Sequence, residues 1–177
     1  AEKEFAYQCG LGKARVADQV CKKYAVVLGN ERLNAFKNSL CIGYLPVATK
    51  IWSTVNKGKG FDSNDINVNR LLLECAWNGE ISAMSWLQKQ INITILPSEE
   101  IAQIFARRGH LHGIVWLEDM NLDINFDDVC INACTFGKRY IVEWLFKIKA
   151  RLSCLTQCLS IALNQGHIDL FDLIHSK

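Results

Sequence analysis

Apolar residues run the whole length of the chain in a helical rhythm that glycine interrupts at intervals of about thirty residues. Setting Gly12, Gly43, Gly79, Gly109, Gly137 and Gly166 to a common zero gives steps of 31, 36, 30, 28 and 29 residues. Four, five and eight places after each glycine the residues are almost all apolar; Ile141, Val142 and Leu145 are one such set. Three and seven places before it stand pairs such as Leu40 with Phe36, Ala106 with Ala102, Cys134 with Cys130 and Leu163 with Leu159. Each set of offsets shares one face of a helix with 3.6 residues per turn. Every unit therefore predicts a first helix, a turn at the glycine and a second helix, and six such pairs follow. A pair cannot bury its apolar stripe alone, so neighbours must stack, and the stack is the core. Trp86, Trp116 and Trp144, each seven places after a glycine, are expected to form a packing column along the second helices.

The 36-residue step holds a run rich in turn formers, residues 56–64, which reads as a loop insertion and the natural joint between subdomains. We expect degenerate helical repeats in residues 1–60 and better-formed ones in residues 61–177, stacked continuously. Half of the residues are hydrophobic and only Pro46 and Pro97 interrupt the chain, which favours an all-α fold. The formal charge of +2 is too mild to predict nucleic-acid binding. No window is long and apolar enough to span a bilayer, and the N-terminus lacks the basic-then-apolar order of a secretory signal. The first residue is not methionine, so the sequence reads as a processed chain or a fragment. The eight cysteines are read as reduced, buried small hydrophobes of a cytoplasmic, reducing compartment. Asn92-Ile93-Thr94 matches a glycosylation acceptor by a tripeptide common by chance.

The strings Ala106-Arg107-Arg108-Gly109-His110-Leu111, Leu163-Asn164-Gln165-Gly166-His167-Ile168, Leu122-Asp123-Ile124-Asn125 and Asn64-Asp65-Ile66-Asn67 carry more than periodicity. With them, the unit resembles a divergent ankyrin repeat, best matched over residues 62–177. The Thr-Pro-Leu-His opening of that family's first helix is missing from every unit, which argues against regular β-hairpin fingers. Arg139 stands two places after Gly137 where an apolar residue is usual, so that turn is expected to present a charge. Degenerate repeats of this kind are similar to those of large viral gene families and of proteins that intracellular microbes send into host cells, an analogy that adds the host cytosol as a location. The resemblance implies a concave surface lined by the two residues before each turn glycine. Position by position these are Trp77 and Asn78, Arg107 and Arg108, Thr135 and Phe136, Asn164 and Gln165. Aromatic and arginine side chains dominate interface energetics, so a protein partner is the leading expectation, its identity and the oligomeric state being open.

Chemistry finds less support. Cys130 with Cys134 and Cys154 with Cys158 make two i, i+4 pairs that could in principle hold zinc. Measured from their glycines the two pairs occupy different offsets, so they read as out of register, and no metal or cofactor is expected. His110 and His167 follow repeat glycines and resemble that family's structural histidine; no Cys-His signature surrounds them, and the chain is not expected to be an enzyme. Gly10-Leu11-Gly12-Lys13 and Lys57-Gly58-Lys59-Gly60 lack the spacing of a phosphate loop. The rival readings are a basic strip of Arg107, Arg108, Lys138, Arg139, Lys147, Lys149 and Arg151 for nucleic acid or an anion, interrupted by Glu118, Asp119, Asp127 and Asp128, and the non-catalytic part of a larger enzyme.

Overall fold

The computed structural model describes residues 29–56, 66–91 and 96–176. Ten α-helices and no strands are found among them. The chain divides into two units, Ala1–Ile95 and Leu96–Lys177. The first contains α1 (Gly29–Cys41), α2 (Leu45–Asn56), α3 (Val68–Asn78) and α4 (Ile81–Ile91). The second contains α5 (Ser98–Arg108), α6 (Leu111–Asp119), α7 (Phe126–Thr135), α8 (Arg139–Lys147), α9 (Leu155–Asn164) and α10 (Ile168–His175). The helices fall into five pairs, each turning at one of the glycines from Gly43 to Gly166. The pair expected around Gly12, the phosphate-loop look-alikes, the Asn92 acceptor and nearly all of the 56–64 run lie outside the described residues. The contacts divide after Ile95.

All five turns close in the same way. The N–H one residue after the glycine reaches the carbonyl five residues back: Tyr44 to Ser39, Glu80 to Cys75, His110 to Phe105, Lys138 to Ala133 and His167 to Ala162, at 2.7–2.9 Å. This bond satisfies a carbonyl at the helix end and needs the intervening residue in the left-handed region, where Gly109 sits at φ 85°. Two second helices end with the same bond but without glycine. Asn121 (φ 53°) and Lys149 (φ 55°) take the left-handed position, while Leu122 bonds back to Leu117 and Ala150 to Leu145. Asparagine tolerates that conformation; lysine pays for it in strain. Lys149→Gly is therefore expected to stabilise the second unit by about 0.5–1 kcal/mol in chemical denaturation, and a loss of stability would show that the Lys149 side chain makes a compensating contact.

The connecting strings have a mechanical reason. Ile66 and Ile124 are buried plugs, and the asparagine after each caps the next helix. Asn67 Oδ1 accepts from the Arg70 N–H at 3.0 Å, and Asn125 Oδ1 from the Asp127 N–H at 3.0 Å. At the start of α5 Pro97 occupies this place and offers no side-chain cap. Residues 120–125 and 148–154, which connect successive pairs, contain no strand.

Within each unit the first helices pack in succession, α1 on α3 and α5 on α7 on α9. Four columns are buried in each of the first helices α1, α3, α5 and α7, at eight, seven, four and three places before the glycine. Val129, Cys130, Ala133 and Cys134 fill them in α7, and Ile101, Ala102, Phe105 and Ala106 in α5. In α9 only Cys158 and Ala162, at minus eight and minus four, stay buried, while Leu163 at minus three is 56% exposed and Leu159 is half-buried. Within the second unit the minus-seven and minus-three columns of α7 thus face α9, which meets them with its minus-eight and minus-four columns. Leu163, read as core from its spacing, is the exception for this reason.

Trp86 and Trp144 pack into local ring clusters. Trp86 meets Phe36 and Trp52 with centroids 6.0 and 5.8 Å away, and Trp144 meets Phe126 edge-on at 6.3 Å. No helix among the described residues is long and apolar enough to cross a membrane.

Candidate functional site

The residues just before each glycine lie at the ends of the first helices, where the chain turns and side chains leave the core. In the first unit these are Trp77, 48% exposed, and Asn78, whose amide donates to the Glu74 carbonyl at 3.2 Å. In the second unit the three turns lie side by side, tied by side chains of each following pair. The Tyr140 hydroxyl donates to the Gly109 carbonyl at 2.6 Å, and the His167 ring covers Gly137 and comes within 3.4 Å of the Thr135 carbonyl. Arg107 and Arg108, Thr135 and Phe136, and Asn164 and Gln165 therefore stand on neighbouring turns of one unit.

Their surroundings differ. Phe136 is 50% exposed, and Asn164, Gln165 and Arg108 are also exposed. Arg107 reaches across to α7, its Nε donating to Asn132 Oδ1 at 2.8 Å, with Gln103 3.4 Å from a second nitrogen. Thr135 is half-buried and its hydroxyl donates to the Ile131 carbonyl at 2.8 Å, so it serves its own helix. Tyr140, which the sequence did not single out, is 45% exposed beside these turns. Arg139 does present a charge at its turn, but Glu143 holds it at 2.7 Å and the Asp169 carbonyl lies 3.3 Å away.

A second constellation lies inside the same unit, and here the sequence reading needs correction. The two cysteine pairs are in register. Cys158 Sγ lies 3.6 Å from Cys130 Sγ and 3.6 Å from Cys154 Sγ. Cys130, Cys134 and Cys158 place all three sulfurs within 4.8 Å of one another. Equal offsets are the wrong test, because α7 offers its minus-seven and minus-three columns to the minus-eight column of α9. Asp127, in the first turn of α7, fixes the approach to α9: its carboxylate accepts from the Ser153 hydroxyl and from the N–H groups of Ser153 (2.9 Å) and Cys154 (3.4 Å). These hydrogen bonds, that of the Ser153 hydroxyl first, hold the Asp127 carboxyl below its ordinary pKa. Cys154 is pushed above the ordinary thiol range by burial and by Asp127, and Cys130 by the neighbouring thiols of Cys134 and Cys158 together with burial. The six cysteines among the described residues carry free thiols; Cys9 and Cys21 lie outside them.

No protein-family model matches this chain, and no curated protein matches it.

Proposed function

We propose that the chain is a stack of ankyrin-like repeats that works as a protein-binding module, without chemistry of its own, and docks its partner on the side chains that flank the glycine turns. The observation that carries this reading is the exposure of Trp77 and Phe136, 48% and 50%, at the same edge of their pairs. Leaving a large ring half in water forgoes burial energy, and aromatic side chains are the ones interfaces use most. In the second unit Phe136 has Arg107 and Arg108 on the preceding turn and Tyr140 in the second helix of its own pair, and Asn132 and Gln103 hold the guanidinium of Arg107 in place. An oriented arginine loses less freedom when it binds.

The repeat assignment is supported by the five identical turn closures and by the Ile-Asn strings that plug and cap. Free thiols suit a reducing compartment, the cytosol of the protein's own cell or of a host cell.

The test begins with the full chain immobilised and exposed to a reducing cell lysate. Arg107→Ala is expected to weaken the affinity of a retained protein about tenfold, close to 1.4 kcal/mol, while lowering the melting temperature by no more than a few degrees. An Arg107→Ala chain that binds as tightly as wild type would move the interface away from these turns. Retention of nucleic acid with steep salt dependence would instead favour the basic strip.

A further inference from the structure

We propose that Cys130, Cys134, Cys158 and Cys154 form a structural zinc site that clamps the last two helical pairs of the second unit together. Zinc bound by sulfur at about 2.3 Å in a tetrahedron separates its ligand atoms by about 3.8 Å. Two sulfur–sulfur separations here are 3.6 Å, and the triangle of Cys130, Cys134 and Cys158 closes within 4.8 Å, so small side-chain adjustments fit the ion. Cys154 stands outside this triangle, 3.6 Å from Cys158 Sγ and 3.6 Å from the Asp127 carbonyl, and turns its side chain inward to supply the fourth sulfur.

Packing alone does not ask for sulfur at these positions. Neighbouring pairs fill the minus-seven column with Leu72 and Ala102, the minus-three column with Ala76 and Ala106, and the minus-eight column with Ile101 and Val129, all buried. Cys154 is the N-cap of α9 and Cys158 closes its first turn, donating its N–H to the Cys154 carbonyl at 2.9 Å. The N–H groups at the start of α9 therefore lie close to these sulfurs. Asp127 holds the segment carrying Cys154, and Cys154 itself, 7% exposed, is the point where the cluster comes nearest to solvent. Zn(II) entering there forms four Zn–S bonds and releases four thiol protons to water, with no change of oxidation state.

The test uses the full chain, reduced and freed of metal with a chelator. Titration with Zn(II) is expected to show one equivalent bound, four thiols protected from alkylation and a raised melting temperature. Co(II) in its place should show sulfur-to-metal charge-transfer absorption. Cys134→Ala introduces the residue that Ala76 and Ala106 already supply in the same column. Cys154→Ser places a good capping residue at an N-cap. Both variants should keep the wild-type circular dichroism yet bind zinc more than about 100-fold less tightly, since even lost outer-shell partners cost 10–100-fold. Cys41→Ser, in the first unit, should bind as wild type does. Failure to take up zinc, a Co(II) spectrum without charge transfer, or unchanged affinity in Cys134→Ala overturns the proposal.

Discussion

Phe105→Ala is expected to remove about 4 kcal/mol from the second unit, the middle of the range for emptying a fully buried aromatic site. Phe105 is completely buried in α5, and its ring lies where Gly113 of α6 has no side chain. A Cβ on Gly113 would stand 2.5 Å from two ring carbons, closer than any real contact. Gly113 is thus a glycine of close approach, and its helix keeps it at some cost in propensity because the ring needs the space. Gly113→Ala should destabilise by about 1–3 kcal/mol through overpacking. Combined with Phe105→Ala, the alanine should cost far less, because the atoms it struck are gone. A double-mutant cycle in urea is expected to give a coupling of at least about 1 kcal/mol. Additive effects would show that α5 and α6 do not meet through these two residues.

Gly109→Val should be nearly as damaging, about 3 kcal/mol, and should lower the melting midpoint of the unit by roughly 10–20 °C. Two penalties combine. The φ of 85° is one that a β-branched residue strongly resists, and the new side chain would press on the Tyr140 hydroxyl that bonds to this same turn. Arg107→Ala, two residues away, removes only hydrogen bonds at an exposed surface and should cost less than about 1 kcal/mol. Thermal denaturation of the two variants side by side checks the contrast. Equal destabilisation would mean that Arg107 belongs to the frame and not to a binding surface.

The sequence made the helical pairs legible because the physics there is local. Glycine alone takes the left-handed turn without strain, and offsets of four, five and eight fall on one helical face whatever the neighbours are. Relations between pairs were harder to read. Counting from each glycine treats all pairs as equivalent, but a stacked helix has two packing sides, and residues in contact across pairs come from different columns. That is why the thiols of Cys130 and Cys158 looked unrelated and Leu163 looked buried. The buried columns at minus eight and minus four, filled by residues such as Ala35 and Ser39, Leu71 and Cys75, mix apolar with small polar side chains and so stand out less in the sequence. Tyr140 was missed because its role is a single hydroxyl reaching the turn of the preceding pair, which no spacing announces. The two residues before each glycine were assigned to a surface by resemblance, and all but Thr135 are exposed.

The central claim, that these exposed residues recruit a protein, is tested most directly by capture from cell lysate with the wild-type chain and with a Trp77→Ala, Phe136→Ala double variant whose circular dichroism and melting match wild type. Truncating two interface aromatics should cost about 2 kcal/mol or more each. The account predicts a protein retained by wild type and lost from the variant. Equal retention by both chains would contradict it.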